Sequence, residues 1–518
     1  MSADASTGGE EEVFVFPASY SQQRLWFLDQ LQPGSAAYNV VSGVRLEGPL
    51  DATLLSSALD QVVARHEALR TTFESEAGVP VQVVAPALVI PLPVDDLSAL
   101  PPEARDAQLA RALAETATAP FDLGRGPLVR ARLVRLAEND HVFVVNANHI
   151  VVDGISISIL FKEISALYAA LRAGQPSPLP AVTIQFADYA LWQRELLAGA
   201  ELERLLAYWR ERLGGELPST ELPADHPRPA TPSRRGGRIC ARLASREGLD
   251  ALTALCRQER TSAFAGLLSA FALTLQRYTG QDDVVVGSPF GNRSRAEIEE
   301  SIGFYAATVV LRLHTGGDRE PTFRELVGRA REVIAGAAAH QDVPFEKLVE
   351  ALRPARDPSH NPFFQIMLGY LVAPETACDL PGVKATPVDA FHGESMFDFL
   401  VQLEEAKDGV TGSFTYSADL YERETIARFV ERFERTLSAA IADPDAPISR
   451  FGVLSEEERR RVLVDWNDTR VDLAASCVHE EIARQAARTP GQVAVRTGDL
   501  AVTYEELDRR AERLAQRL

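Results

Sequence analysis

The chain has 518 residues, and its 53 Lys and Arg against 73 Asp and Glu give a formal net charge of −20. At about 100–200 residues per domain that is too long for one ordinary core and implies about three compact units. A hydrophobic fraction of 46% and a charged fraction of 24% exclude a fibrous or disordered chain. The acidic balance argues against non-specific binding to nucleic acid or an anionic membrane, since both need a basic face.

Residues 1–12 are small, polar and acidic and read as a disordered leader, not a signal peptide. Leu54, Leu55, Leu59, Val62, Val63 and Leu69 predict an amphipathic helix over 50–69. Leu128–Leu136 and His141–Ala147 are β-rich runs joined as a hairpin through Ala137-Glu138-Asn139-Asp140. Ile155–Arg172 returns to helical spacing and stops at Gly174. Pro218, Pro223, Pro227, Pro229 and Pro232, followed by Gly236-Gly237, read as the clearest internal linker. Further on, a helix is expected over 249–276, with strands at 283–287, 308–313, 397–403 and 410–416. Helices are expected again at 454–465 and 478–488, then a turn and helix over 502–518 that stops in mid-pattern.

Cys240, Cys256, Cys378 and Cys477 form no CxxC pair, which fits a reducing cytoplasm and neither a disulfide framework nor a zinc site. No apolar run approaches the about 20 residues of a membrane span, so the expected protein is soluble and cytoplasmic. No Gly-rich phosphate loop or metal-ligand spacing is seen. Leu213-Gly214-Gly215-Glu216-Leu217 looks superficially like a carrier-protein attachment site but lacks the serine that would carry the prosthetic arm.

The segment that carries chemistry is Asn148-His149-Ile150-Val151-Val152-Asp153-Gly154. His149 sits where a strand gives way to a loop, and a neutral imidazole can accept a proton from an attacking amine or hydroxyl near pH 7. Asp153 either pairs with a cation or orients the loop. Gly154 opens a helix, so free backbone N–H groups there could face a substrate oxygen. The plainer alternative is that His149 ends a strand and Asp153 caps a helix.

The surroundings favour the chemical reading. Ser19-Tyr20-Ser21-Gln22-Gln23-Arg24-Leu25-Trp26, Arg65-His66-Glu67-Ala68-Leu69-Arg70-Thr71-Thr72-Phe73 and the Asn148–Gly154 segment resemble, in order, the first three motifs of nonribosomal peptide synthetase condensation domains. Phe186-Ala187-Asp188-Tyr189-Ala190-Leu191-Trp192, Ile302-Gly303-Phe304-Tyr305, His340-Gln341-Asp342-Val343-Pro344-Phe345-Glu346 and Arg356–Gln365 resemble the next four. Leu454–Glu458, Trp466–Thr469 and Val478-His479-Glu480 resemble the linker to an adenylation domain, and Val502–Leu507 resembles that domain's first motif.

This resemblance implies an α/β (α+β) fold of two chloramphenicol-acetyltransferase-like lobes, a V-shaped pseudo-dimer around a central tunnel. The expected divisions are a leader over 1–12, an N-terminal lobe over 13–180, a C-terminal lobe over 181–450, a linker over 451–478 and the start of an adenylation domain over 479–518. It also implies amide-bond formation between a donor acyl or peptidyl thioester and an acceptor aminoacyl thioester. Both substrates would ride on the phosphopantetheine arms of carrier proteins, and the chain would hold no cofactor or metal of its own. The implied catalytic set is His149, Asp153 and Gly154, supported by Asn148 and by Arg293 of the opposite lobe, which would hold Asp153. The implied partners are the two carrier proteins, the downstream adenylation domain and an upstream synthetase or polyketide subunit.

Asn148 stands where the family motif has its first histidine, and Ala306-Ala307 where the fifth motif reads Val-Asn. Asn keeps one donor and one acceptor in a similar place. The opening motif resembles domains that take L-configured donors, or starter domains that N-acylate a first amino acid. The alternative from another class is a non-catalytic platform that recruits carrier proteins or tailoring enzymes. Arg24, Trp26, Arg65, His66 and Arg70 are expected to support the fold, Asp188, Tyr189 and Trp192 to pack a helix, and His340 and Asp342 to cap a loop or helix.

Overall fold

The computed structural model describes residues 13–354, 357, 359–372, 378–452, 454–472 and 476–518. The leader and the motif residues Arg356 and Pro358 lie outside the described residues. The chain divides into two units, residues 1–453 and 454–518.

In the first unit, alternation along one strand organises a whole lobe. Asp140–Asn148 is buried along nearly its full length, because both faces of its sheet are covered. Phe143, Val145 and Ala147 join a core with helices Ala52–Arg65 and Gly154–Arg172, whereas Val142 and Val144 pack with Leu109, Ala112 and Leu113 of helix Pro102–Thr118. The five-stranded sheet runs Lys384–Val388, Asn39–Glu47, Asp140–Asn148, Val129–Ala137 and Val94–Asp96. A three-stranded sheet of Phe14–Pro17, Val79–Val84 and Thr71–Glu76 stands apart from it. Helix Gly154–Arg172 is long and apolar enough to cross a membrane, contrary to expectation, but 56% of its apolar window is buried inside this lobe.

The second lobe surrounds helix Ala263–Thr279, whose residues are buried without interruption from Ala263 to Leu275. Its six-stranded mixed sheet runs Ala307–His314, Asp283–Phe290, Ile366–Val372, Phe399–Ala406, Gly409–Ser417 and Gly236–Ser245. Phe271 meets Phe429 and Phe433 of helix Arg423–Ala442 edge-on, at 5.8 and 5.4 Å between ring centres.

Three sequence expectations change here. The helix expected over 249–276 is two, Arg246–Gln258 and Ala263–Thr279. Between them Arg260 adopts a left-handed φ of +57°, and the Thr261 N–H turns back to the Cys256 carbonyl. Both segments are apolar, so hydrophobic spacing alone does not reveal the break. The Pro-rich stretch is no free linker: Leu222 joins the second lobe's core, and Arg228 pairs with Asp398 and Glu221. Finally, residues 181–450 do not all stay in one lobe. Cys378, Leu380 and Val383 lie in the first lobe's core, and Lys384–Val388 pairs antiparallel with Asn39–Glu47.

The second unit contains helices Glu456–Leu463, Val478–Arg488 and Tyr504–Ala515 with the hairpin Val493–Thr497 and Leu500–Thr503. Among its described residues only Ala486 and Val502 are buried apolar side chains.

The crossing segment yields a direct test. Leu380 is 1% exposed, so Leu380→Ala should destabilise the first unit by about 2–5 kcal/mol. Chemical denaturation of the purified protein would measure this, and an unchanged midpoint would contradict docking of the segment.

Candidate functional site

Strand Asp140–Asn148 delivers its last residue and His149 to the lobe edge. The Asn148 N–H donates to the Leu128 carbonyl at 2.9 Å and the His149 N–H to the Tyr38 carbonyl at 2.8 Å, so the backbone is tied on both sides. Asn148 Oδ1 accepts from the Ile150 N–H at 3.0 Å, which fixes its side-chain orientation and tightens the turn after the strand. Asn148 therefore supports the loop from a buried position.

His149 is half-buried, and its Nδ1 lies 2.7 Å from the Val152 carbonyl oxygen. A carbonyl only accepts, so Nδ1 carries the proton and the neutral ring keeps its Nε2 lone pair. The ring packs on Phe304, 4.5 Å between centres. The local backbone thus selects the tautomer that can act as a base.

Asp153 is the N-cap of helix Gly154–Arg172, and its Oδ1 accepts from the Ser156 N–H at 2.8 Å. Its second task is across the lobes. Arg293 Nη2 donates to Oδ1 at 3.0 Å and Oδ2 at 3.3 Å, and the Tyr305 and Ala306 N–H groups reach Oδ2 at 3.1 and 3.2 Å. The Asp153 and Arg293 side chains are 1% and 6% exposed. Both carboxylate oxygens are thus occupied by donors from the protein itself. Arg293 in turn donates Nη1 to the Ile298 and Ser301 carbonyls and lies over the Tyr305 ring at 4.3 Å.

Gly154 is exposed, and a Cβ there would meet no atom within 4 Å. Packing does not demand a glycine at this point; the position opens onto free space beside the helix start.

Sequence reasoning missed Ser156, whose hydroxyl lies 2.8 Å from both Asp153 Oδ1 and the Gly303 carbonyl oxygen. The signal was its place three residues beyond a capping Asp. It also left Phe304 and Tyr305 without a role. Glu163 was missed as well: it accepts from His66 Nε2 at 2.9 Å and from Arg65 in a bidentate pair. Burial opposes its charge, yet hydrogen bonds from His66 and Arg65 hold its carboxyl below the usual range. His66 Nδ1 accepts from the Ile302 N–H at 3.3 Å, so this network anchors the loop that carries Phe304.

The other motif residues stand away from His149. Arg24 pairs with Glu346 at 3.4 Å, and Trp26 packs on the first lobe's core. Arg70 donates to the Ala85 carbonyl. Asp188 accepts from the Gln185 N–H at the start of helix Phe186–Leu196, and Tyr189 and Trp192 stack in an aromatic cluster with Phe186 and Tyr305. His340 ends helix Phe323–Ala339, but Asp342 caps nothing: Pro344 precedes helix Phe345–Leu352. Among the described residues no group of three His, Cys, Asp or Glu side chains is arranged to hold a metal ion.

Two α/β lobes bridged by a buried ion pair, with a histidine beside the bridge, define an acyltransferase-type scaffold. The chain belongs to the condensation-domain family, whose profile matches residues 14–463, and it has that family's chloramphenicol-acetyltransferase-like fold. It is 42% identical over 97% of its length to a linear gramicidin synthase of Brevibacillus parabrevis, of which it spans 6%. Chondramide synthase of Chondromyces crocatus is also 42% identical over 97% of this chain, which spans 13% of that protein. It is therefore a condensation domain of nonribosomal peptide synthetase type. The X-domain from teicoplanin biosynthesis, solved in complex with OxyB, shares 30% identity at a TM-score of 0.73, covering 87% of this chain and 98% of that one. A four-domain nonribosomal peptide synthetase bound to AMP and glycine shares the fold at 21% identity and a TM-score of 0.79, covering 98% of this chain and 39% of that one.

The buried pair should behave as a unit. Asp153→Ala and Arg293→Ala should each cost about 3–5 kcal/mol, because each strands a buried charge. The double variant should lose less than the sum of the two. Melting and denaturant curves of the three variants check both statements, and additive or negligible losses would contradict the pairing.

Proposed function

We propose that this domain joins a donor acyl or peptidyl thioester to an acceptor aminoacyl thioester, each presented on the phosphopantetheine arm of a carrier protein, with His149 as the catalytic residue. The observation that carries the reading is the tautomer of His149: Nδ1–H bound to the Val152 carbonyl, Nε2 left to accept. The acceptor amine attacks the donor carbonyl carbon, forming the C–N bond. His149 Nε2 takes the amine proton, the C–S bond breaks, and the proton passes to the departing thiolate. Holding both thioesters in line supplies much of the rate, because it converts a bimolecular encounter into an intramolecular one. Asp153 and Arg293 keep the two lobes in register around the reacting groups, Gly154 leaves room beside them, and Asn148 holds the loop.

On this reading, residues 13–180 together with the crossing segment 378–388, and the rest of 181–450, are the two lobes of a V enclosing a tunnel. Residues 451–478 are the linker and 479–518 the start of an adenylation domain, in the cytoplasm. The donor is an L-configured peptidyl group or, in a starter role, a fatty acyl or polyketide chain.

A second reading has one specific support: the X-domain relative was solved bound to another protein, OxyB. By analogy this domain would recruit a partner enzyme instead of forming amides.

Two variants separate these accounts. His149→Ala should lower condensation roughly 10²–10⁴-fold, the usual span for one acid–base group, with folding intact. Asn148→His should change the rate by less than about tenfold, because Asn148 acts on the loop backbone. Mass spectrometry of carrier-bound products from a panel of loaded donors and acceptors reads both. Product formation indifferent to His149→Ala would overturn the catalytic assignment and favour recruitment.

A further inference from the structure

Phe304 has a second neighbour besides His149. It lines a cleft, partly open to solvent, bounded by the start of helix Tyr20–Leu31, helix Phe186–Leu196, the 304–308 segment and residues 341–346.

Two buried acceptors around this cleft have no donor. Asn292 is 6% exposed, and its Nδ2 donates to the Tyr189 hydroxyl at 3.0 Å while its carbonyl Oδ1 has no hydrogen-bond partner. Glu346 gives Oε1 to Arg24 at 3.4 Å, but its buried Oε2 is likewise unpartnered. Asp342 adds a second carboxylate to the lining, and burial raises its pKa. Arg24 is itself in the lining, but its guanidinium is taken up by Glu346 Oε1 and the Phe345 ring; of the cations beside Asp342, Arg204 is bound to Glu201 and Arg295 lies over Trp192. Lys347 is bound to Glu350. Ala306 and Ala307 add nothing longer than a methyl group to the wall. Buried acceptors without donors are costly and call for a ligand that supplies N–H groups.

We propose that this cleft is a specificity pocket that receives a cationic, N–H-bearing side chain, a primary ammonium or guanidinium, of one of the two condensing aminoacyl groups. Glu346 and Asp342 supply the charge, and the Asn292 carbonyl takes one hydrogen bond. Phe304 links the pocket to His149, so filling it bears directly on the histidine ring's only aromatic neighbour among the described residues. The proposal rests on the condensation reading above.

The test compares lysyl and norleucyl substrates, of similar length but with and without the ammonium, in both the donor and acceptor positions. In one position the wild-type protein should favour the lysyl substrate in kcat/KM by about tenfold or more, the worth of a hydrogen bond to a charged group. Glu346→Gln and, independently, Asp342→Asn should bring that ratio towards one. Wild-type indifference in both positions, or a preference untouched by both variants, overturns the pocket. If no pair yields product, the condensation reading fails separately, and calorimetric binding of lysyl- and norleucyl-pantetheine amides decides the pocket. A wild-type preference for the lysyl amide that Glu346→Gln or Asp342→Asn abolishes upholds it, and equal affinities overturn it.

Discussion

One carboxylate holds this domain's two lobes to a common geometry. Burying Asp153 and Arg293 removes two charges from water, and the attraction between them alone does not offset that cost. What offsets it is the set of hydrogen bonds around the pair. Asp153 accepts from Arg293, Ser156, Tyr305 and Ala306, and Arg293 donates Nη1 to the Ile298 and Ser301 carbonyls. The interaction is directional and short in reach, so it specifies the relative position of the first lobe's helix start and the second lobe's 298–306 segment in a way that hydrophobic contact could not. The crossing segment with Lys384–Val388 adds a second tie by completing the first lobe's sheet.

The histidine depends on this bridge without touching it. The residues between His149 and Asp153 form a tight turn, with Val152 orienting the imidazole and Asp153 anchored one residue later. On the other side, the Ile302–Ala306 backbone is pinned by His66, Ser156 and Asp153, which brings Phe304 against the imidazole. Residues from three separated motifs thus converge on one loop. Arg65 and His66 act through Glu163 and Ile302, and so determine where the imidazole's aromatic neighbour stands. Replacing the family's first histidine by Asn148 is compatible with this arrangement, because the role filled at that position is acceptance of the Ile150 N–H, which an amide oxygen performs.

Much was legible from the amino-acid order alone. Strands Val129–Ala137 and Asp140–Asn148, helix Ala52–Arg65 and the helix that opens at Gly154 follow from periodicity and local stop signals, because each buries one face or two along a regular repeat. The run from Asn148 to Gly154 and the family it resembles came from the residues and their order, and the pairing of Asp153 with Arg293 came as what that resemblance implies. Tertiary structure decided the rest. The break at Arg260 is a single left-handed residue inside an apolar stretch, which hydrophobic spacing cannot register. The docking of the Pro-rich stretch depends on Arg228 meeting an Asp398 that is distant in sequence. The passage of residues 378–388 into the other lobe is a long-range strand pairing with no local signature. So, too, are the proton on His149 Nδ1, set by a neighbouring carbonyl, and the acceptors left without donors around Asn292 and Glu346. Sequence carries residue type and local period; which donors and acceptors meet, and which are left unmet, is decided only when segments far apart in the chain are packed together.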